Sequence, residues 1–268
     1  MSQLPERSTS VSSVKMFRVA ALLAAQCFYS AQAGAEVPSR QVAQMIRPSL
    51  VQVQVDWEVY RRFWFDEASS RLGSGFIFDK DEEGQLWILT NAKLLGFDHI
   101  SAHENVPRLG SYGISVKLFD GTEADILRVF EHEKRDAIML VVKAEGLTYP
   151  PSKVEISAPE PGGQVYAFGY ALDGIRYFTR GAVTRLDNLS GEIGTDANID
   201  GGNSGGPLVN GKGRVVGLNI MGFVGPVPSG LALEVEPLIS REVYVEFDIS
   251  DPEEVEQHLN SRRSFRSP

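Results

Sequence analysis

Short segments in which apolar and polar residues alternate recur along this chain, and they constrain its fold more than any other feature. Residues 49–56 (SLVQVQVD) show the pattern most plainly. Because a period of two places every second side chain on the same face, each segment predicts a β-strand with one buried face. Further strands are predicted at residues 73–79, 86–90, 114–119, 124–130, 137–142, 164–169, 177–183, 207–209, 214–220 and 230–235.

Glycine and proline separate these segments and predict how the chain divides. Four of its 14 prolines lie within residues 146–163, a polar stretch that we interpret as a linker. We therefore predict an all-β protein of two six-stranded barrels, at 38–145 and 164–248. A short helix is predicted at 38–46, because Pro and Ser mark its N-terminus. Residues 249–268 form an acidic and then basic tail, with a helical pattern to residue 259.

The N-terminus has the features of an export signal. Lys15 and Arg18 precede an apolar run at 19–29, and small residues at 31–33 suit cleavage near Ala33. A membrane span needs roughly 20 residues, so we predict a signal peptide at 1–33 and no stable span after cleavage. Cleavage would remove Cys27, the only cysteine, and give a periplasmic or secreted protein without disulfides. Lipoprotein processing at Cys27 is the alternative, although Gln26 fits that site poorly.

The charge of the chain argues against one class of partner. The formal net charge is −9, and removal of the signal segment, with three cations and one carboxylate, makes it −11. A chain this acidic is not expected to bind nucleic acid through a broad phosphate-contacting surface. Residues 234–256 hold nine carboxylates and one arginine, and form either a solvated face or an acidic docking surface. The sequence shows neither a zinc-ligand spacing nor a phosphate-binding Gly-Lys-Ser motif, so we expect no metal and no cofactor.

One loop combines a serine with a high density of glycine. In residues 200–210 (DGGNSGGPLVN), four glycines surround Ser204. Such a loop is a poor helix or strand, but it can present a hydroxyl beside exposed backbone N–H groups. A serine that attacks a carbonyl needs such donors, because they stabilise the oxyanion that forms. The loop therefore predicts a nucleophile, with a chance Gly-rich turn as the alternative.

Several segments resemble, in the same order, those of trypsin-like serine proteases of the HtrA/Deg branch: residues 73–78 (GSGFIF), 89–92 (LTNA), 136–140 (DAIML), 195–208 (TDANIDGGNSGGPL) and 216–219 (VGLN). The resemblance spans residues 40–240 and implies two barrels with the active-site cleft between them. It implies Ser204 as the nucleophile, Asp136 as the triad carboxylate, and the amides of Gly202 and Ser204 as the oxyanion hole. Extended or unfolded polypeptide would be the substrate. HtrA proteins usually continue into PDZ domains, and none is expected in this chain.

The same resemblance assigns a substrate pocket. Asn198 and Ile199 would line the primary specificity pocket, with Asn219 and Ile220 on its wall. No acidic residue is expected at its base, so the preferred side chain would be uncharged and apolar. The dipeptide at 200–201 (DG) stands where the family commonly has Asn-Pro, and loss of the proline would loosen the oxyanion loop.

The chain departs from the family where the catalytic histidine should follow Thr-Asn-Ala, because this position is Lys93. A lysine has an ordinary pKa of about 10.4, and a neighbouring carboxylate such as Asp136 would raise it, whereas a general base needs about 7–8. We therefore expect a Lys93–Asp136 ion pair in the catalytic place. The predicted function is an exported HtrA-like domain with impaired or absent proteolysis, a pseudoprotease that still binds extended peptides.

Two alternatives stand beside this prediction. One is an active serine endopeptidase that cleaves unfolded proteins with Lys93 or a histidine as base. The histidines at 99, 103, 132 and 258 are each predicted to be ordinary surface or loop residues, and His103 is the least implausible substitute. The other alternative is an interaction module that uses the acidic region 234–256. The aromatic residues 63–65 (FWF) form either a subunit contact or a loop packed on the barrel, and the sequence assigns no oligomeric state.

Overall fold

The structure is a computed structural model that describes residues 37–60, 67–97, 108–143, 154–170, 176–200, 202–223 and 229–265. Helix α1 (Ser39–Ile46), as predicted, begins this part of the chain and leads through a short 3-10 turn into the first strand. The described strands and the final helix are β1 (Leu50–Tyr60), β2 (Glu67–Lys80), β3 (Leu86–Thr90), β4 (Arg108–Lys117), β5 (Glu123–His132), β6 (Ile138–Lys143), β7 (Gln164–Tyr170), β8 (Arg176–Asp187), β9 (Glu192–Thr195), β10 (Pro207–Asn210), β11 (Val215–Phe223), β12 (Ser229–Glu234), β13 (Tyr244–Phe247) and α2 (Pro252–Phe265).

Six strands close the first barrel. Their order is β5-β4-β1-β2-β3-β6, and pairing of β5 with β6 completes the ring. Along β1 the side chains alternate between core and solvent, as the sequence predicts. The core-facing side chains of this strand are each at most 4% exposed: Val51, Val53, Val55, Trp57 and Val59.

The second barrel has the closed order β10-β11-β12-β9-β8-β7. Its core is formed by buried aliphatic side chains that include Val165, Ile193, Leu208 and Val216. The connection from the first barrel runs beside β11, where Ile156 forms a parallel bridge with Val215. These two antiparallel six-stranded barrels confirm the predicted all-β fold class.

After the second barrel the chain returns to the first. Strand β13 pairs with the end of β5, with Tyr244 opposite His132, whereas β4 pairs only with the beginning of β5. Helix α2 then places Val255 and Leu259 in the core of the first barrel. The acidic stretch 234–256 therefore supplies a strand and the first turn of a helix to this packing.

Periodicity in the sequence locates most of these strands. The bounds of β3 are those predicted, and the other predicted strands differ at their ends. The sequence does not predict β9 or β13, each of which has four residues. The predicted signal peptide, the aromatic residues 63–65 and residues 146–153 of the predicted linker lie outside the described residues. Within the described part of the chain, no helix combines the length and the hydropathy that crossing a bilayer requires.

Candidate active site

Lys93 lies in a 3-10 turn (Ala92–Leu95) that follows β3, and the two leucines of this turn are buried in the first core. Gly96 ends the turn at a φ of 73°, and its N–H donates to the Lys93 carbonyl over 3.2 Å. A Cβ at Gly96 would lie 2.6 Å from the Trp57 ring, so both the dihedral and the space require glycine. The turn therefore fixes the backbone of Lys93 at the end of β3.

Asp136 lies in the bend between β5 and β6 and faces this turn. Its Oδ1 accepts the backbone N–H of Lys93 over 2.7 Å, and its carbonyl accepts Asn91 Nδ2 over 3.2 Å. The Lys93 ammonium lies 4.0 Å from the other carboxylate oxygen, with the two side chains 32% and 27% exposed. The expected ion pair is present, and at this exposure it contributes little to stability. The charge-assisted bond from the Lys93 amide is the stronger contact.

The loop around Ser204 is held from both barrels. The Ser204 carbonyl accepts the N–H of Ser74, from β2, over 2.9 Å. Ser74 Oγ donates to the Gly202 carbonyl over 2.7 Å and accepts the N–H of Tyr170, from β7, over 2.8 Å. Gly205 adopts a φ of 83°, and a Cβ there would collide with the carbonyl oxygen of Ser74. The close approach of the two barrels therefore explains part of the glycine content of this loop.

Ser204 and Lys93 meet at the main-chain carbonyl of Ile220 in β11. Ser204 Oγ donates to this oxygen over 2.7 Å, and Lys93 Nζ donates to the same oxygen. Ser204 is only 5% exposed. A protonated lysine carries donors and no acceptor, so in this arrangement Lys93 cannot receive the serine proton. The structure thus brings the predicted nucleophile, carboxylate and lysine together, but the serine hydroxyl donates to a carbonyl.

The four residues predicted to line the substrate pocket occupy different places around this site. Asn198 is exposed, whereas Ile199 is 2% exposed and packs in the core of the second barrel. Asn219 is fully buried, and its Nδ2 lies 3.3 Å from each of three main-chain carbonyl oxygens, which ties the serine loop to the barrel. Ile220 has a largely buried side chain and presents its carbonyl to Ser204.

The two predicted oxyanion donors belong to residues with little exposure. Gly202 and Ser204 are both buried. The N–H of Gly202 donates to Oδ1 of Asp200 over 3.0 Å, so the loop itself supplies an acceptor for this donor.

His132 is buried, so the prediction that it lies on the surface or in a loop was wrong, and His258 is half-buried. His132 is 8% exposed, and its Nδ1 accepts two N–H groups of the bend that carries Asp136, over 3.1 and 3.2 Å. The side chain of His258 is 9% exposed, and its Nε2 lies 2.5 Å from Oε2 of Glu131. Packing of the C-terminal segment on the first barrel covers both rings. Residues 99 and 103 lie outside the described part of the chain.

Three side chains that hold the site together are absent from the sequence-based prediction: Ser74, Asn91 and Arg71. Arg71 donates to the Lys93 carbonyl, and its guanidinium lies 5.7 Å from the Trp57 ring centroid. A signal for Ser74 exists, because it stands between two glycines inside a predicted strand, and such glycines often mark the close approach of another backbone. Arg71 and Asn91 leave no comparable signal, since their roles depend on long-range contacts.

Comparison with known sequences identifies relatives of this chain. Residues 73–218 match the model of the trypsin-like peptidase domain family, which is more than half of the chain. The serine protease Do-like HtrA of Bacillus subtilis is 33% identical over 169 residues, which cover 58% of this chain and 34% of that protein. A probable periplasmic serine endoprotease, DegP-like, of Hahella chejuensis is 33% identical over 190 residues, which cover 66% of this chain and 37% of that protein. The chain therefore matches little more than a third of the length of these relatives.

Comparison of folds gives a consistent result. The crystal structure of the serine endoprotease from Yersinia pestis superposes with a TM-score of 0.54 at 27% sequence identity. The superposition covers 76% of this chain and 65% of that chain. The relatives that are similar in sequence and the protein that is similar in fold are thus all serine proteases.

Proposed function

The chain belongs to the trypsin-like peptidase family, among its HtrA-type members, and we propose that it is an exported domain of this family with impaired proteolysis. In this proposal Lys93 occupies the place of the triad base, beside Ser204 and Asp136. The cleft between the barrels still binds extended or unfolded polypeptide. The proposal concerns this domain alone, because the chain matches only part of its curated relatives.

One observation carries the proposal: Lys93 Nζ and Ser204 Oγ both donate to the carbonyl of Ile220. Attack by serine requires a base that takes the hydroxyl proton as the new C–O bond forms. An ammonium group has no lone pair for that proton, and the carboxylate of Asp136 stabilises the ammonium form. A positioned base contributes roughly 10²–10⁴-fold to rate, so its loss leaves weak catalysis at most.

A strand edge beside Ser204 supports retained peptide binding. Strand β11 pairs with β10 only as far as Leu218, whereas its pairing with β12 continues to Phe223. Among the described strands, the stretch from Met221 to Phe223 has β12 as its sole partner. An extended peptide can add to such an edge through main-chain hydrogen bonds. An apolar preference follows from the uncharged residues predicted for the pocket.

Export is supported by two independent observations. The first 33 residues have the charge, the apolar run and the small residues of a signal peptide. Relatives from Hahella chejuensis and Pseudomonas putida are described as probable periplasmic endoproteases. We therefore assign the mature domain to the periplasm or the exterior of the cell.

Hydrolysis of casein by the parent chain and by Ser204→Ala tests the proposal. Equal rates that match the buffer blank are expected, because the serine is not activated. A weak parent rate, reduced by the roughly 10²–10⁴-fold that a missing base costs, would still fit impaired proteolysis, whereas a full protease rate that is lost in Ser204→Ala would reject it. Binding of a fluorescent extended peptide by both proteins tests the retained cleft, and equal affinity is expected.

The alternative is an active serine endopeptidase with neutral Lys93 as base. The contact of both side chains with one carbonyl favours it, since a deprotonated Nζ would lie beside the serine hydroxyl. Such an enzyme would gain activity as the pH rises toward the ordinary lysine pKa of about 10.4, and Lys93→Met would abolish that gain. A flat pH profile that matches Ser204→Ala would exclude this alternative.

A further inference from the structure

The carboxylate of Asp200 is built into the loop that carries Ser204. Its Oδ1 accepts the N–H of Gly202 over 3.0 Å. The N–H of Asp200 donates to Asn203 Oδ1 over 2.8 Å, and its carbonyl lies 3.4 Å from Ser204 Oγ. Asp200 is therefore fixed through its side chain and its amide by residues of the same loop.

The opposite end of the Gly202 residue is fixed as well. Its carbonyl accepts the buried hydroxyl of Ser74, which also accepts the N–H of Tyr170. The carbonyl of Gly202 is thus held through Ser74, and its N–H, which belongs to the preceding peptide unit, faces the Asp200 carboxylate.

This contact opposes the chemistry expected at Gly202. A tetrahedral intermediate places a negative oxygen on the oxyanion donors, and catalysis depends on donors that are preorganised for that charge. Here one donor already serves a carboxylate. The Asp200 carboxylate would repel an oxyanion at the same N–H, and this repulsion raises the energy of the tetrahedral intermediate.

We propose that Asp200 is a positioning residue that closes the oxyanion hole and forms a second block on proteolysis, separate from Lys93. This inference rests on the proposed function, in which Gly202 is an oxyanion donor. The Asp200 carboxylate acts in two ways, because it bonds the Gly202 N–H and carries a negative charge beside it. Asparagine at this position would keep an acceptor for the N–H without the negative charge, and serine would keep a smaller neutral acceptor. Changing Lys93 alone leaves the Asp200 contact intact.

Binding of a matched peptide pair tests the block without any reaction. The probes are one acetylated tetrapeptide that ends in valine, prepared as the C-terminal acid and as the C-terminal amide. Only the acid brings a negative oxygen to the oxyanion donors. We expect Asp200→Asn and Asp200→Ser each to raise the affinity for the acid, relative to the amide, by about tenfold, which corresponds to about 1.4 kcal/mol.

A control variant removes the same charge elsewhere in the same segment. Asp196 is exposed, and its Oδ1 accepts the N–H of Ala182 over 2.6 Å. Asp196→Asn is expected to leave the acid-to-amide ratio at the parent value. An unchanged ratio in both Asp200 variants, with thermal unfolding like that of the parent, would overturn the inference. An equal gain in Asp196→Asn would also overturn it, because the effect would then be one of general charge.

Hydrolysis of casein by combined variants separates this inference from the proposed function. We expect Lys93→His/Asp200→Asn to be at least about tenfold faster than Lys93→His, since the negative charge beside an oxyanion donor is removed. Equal rates in these two proteins would overturn the role of Asp200 and leave the proposed function standing. Hydrolysis by the parent at the rate of the double variant, lost in Ser204→Ala, would instead reject the proposed function, whatever the peptide pair shows.

Discussion

Two interactions of different strength meet on the carboxylate of Asp136. The short bond from the backbone amide of Lys93 is charge-assisted, whereas the ammonium lies 4.0 Å away and both side chains are partly exposed. A hydrogen bond to a charged group contributes about 2 kcal/mol, and an exposed ion pair contributes less than about 1 kcal/mol. Asp136 is thus a structural anchor of the turn after β3 as well as the predicted triad carboxylate.

Urea unfolding of Lys93→Met and Asp136→Ala measures this difference. We expect Lys93→Met to lower the free energy of unfolding by less than about 1 kcal/mol, and Asp136→Ala to lower it by about 2 kcal/mol. Methionine keeps the length and the apolar part of the lysine side chain, and the Ile220 carbonyl that loses the lysine donor keeps its bond from Ser204 Oγ. A loss in Lys93→Met as large as that in Asp136→Ala would show that the ion pair, and not the amide bond, holds the turn.

Tyr112 and Tyr244 make stability depend on pH at alkaline values. Burial raises the pKa of each phenol above its ordinary value of 10.0, and for Tyr112 the nearby Glu131 carboxylate raises it further. A raised pKa in the folded state means that the unfolded chain loses its protons first. The contribution is therefore complete below about pH 10 and is lost as the pH rises above it.

Urea midpoints between about pH 8 and about pH 11 measure this loss. Tyr112→Phe should flatten the alkaline decline, at the cost of the bond from its hydroxyl to the Leu95 carbonyl, which spans 2.9 Å. Tyr60→Phe, at a tyrosine that is 45% exposed, is the control and should keep the slope of the parent. A slope that Tyr112→Phe leaves unchanged would contradict burial of this phenol.

At the scale of elements, helix α2 completes the core of the first barrel. Its residue Leu259 is 5% exposed and belongs to the same buried cluster as the interior of β1. The ring of His258 stacks on Phe247 of β13 with centroids 4.2 Å apart, so helix and strand pack as one unit. The C-terminal segment is therefore part of the first barrel.

Alanine substitutions on the two faces of α2 test this packing. Leu259→Ala is expected to lower the free energy of unfolding by about 2–3 kcal/mol, since it leaves a cavity in a core. Gln257→Ala, at an exposed position of the same helix, should change it by less than about 0.5 kcal/mol. Equal effects of the two substitutions, as measured by urea unfolding, would mean that α2 does not dock.

The sequence predicts elements well where a local period exists and poorly where a long-range contact decides. The alternation in β1 is enough to identify both the strand and its buried face. No local pattern announces that Tyr244 pairs with His132, more than a hundred residues earlier in the chain. Burial of His132 follows from that pairing, which explains why this histidine is misplaced by sequence reasoning alone.

At the scale of the whole molecule, Ser74 links the two barrels at the nucleophile loop. Ser74 of the first barrel bonds with Gly202 and Tyr170 of the second through its hydroxyl, and with Ser204 through its amide. The nucleophile loop thus depends on the relative placement of both barrels. The sequence predicts both barrels and the residues of the loop, but this linkage becomes visible only when the barrels are packed.

Ser74→Ala should lower the free energy of unfolding by about 2 kcal/mol, because it leaves a buried carbonyl and a buried N–H without their partner. Ser49→Ala is the matched control. Ser49 is also buried, but its hydroxyl makes a local bond to the Ile46 carbonyl over 2.7 Å, and we expect a loss of about 1 kcal/mol. A smaller loss in Ser74→Ala than in Ser49→Ala, by urea unfolding, would contradict the linkage.

The rate at which a fluorophosphonate labels Ser204 reports activation of the nucleophile without a requirement for substrate recognition. It therefore tests whether Lys93 fails to activate Ser204. The parent chain, Ser204→Ala and Lys93→His/Asp200→Asn are labelled side by side. We expect the parent to be labelled at least about a hundredfold more slowly than the double variant, since a positioned base contributes at least that much. Labelling of the parent at the rate of the double variant, and faster than Ser204→Ala, would show that Lys93 activates Ser204 and would contradict impaired proteolysis.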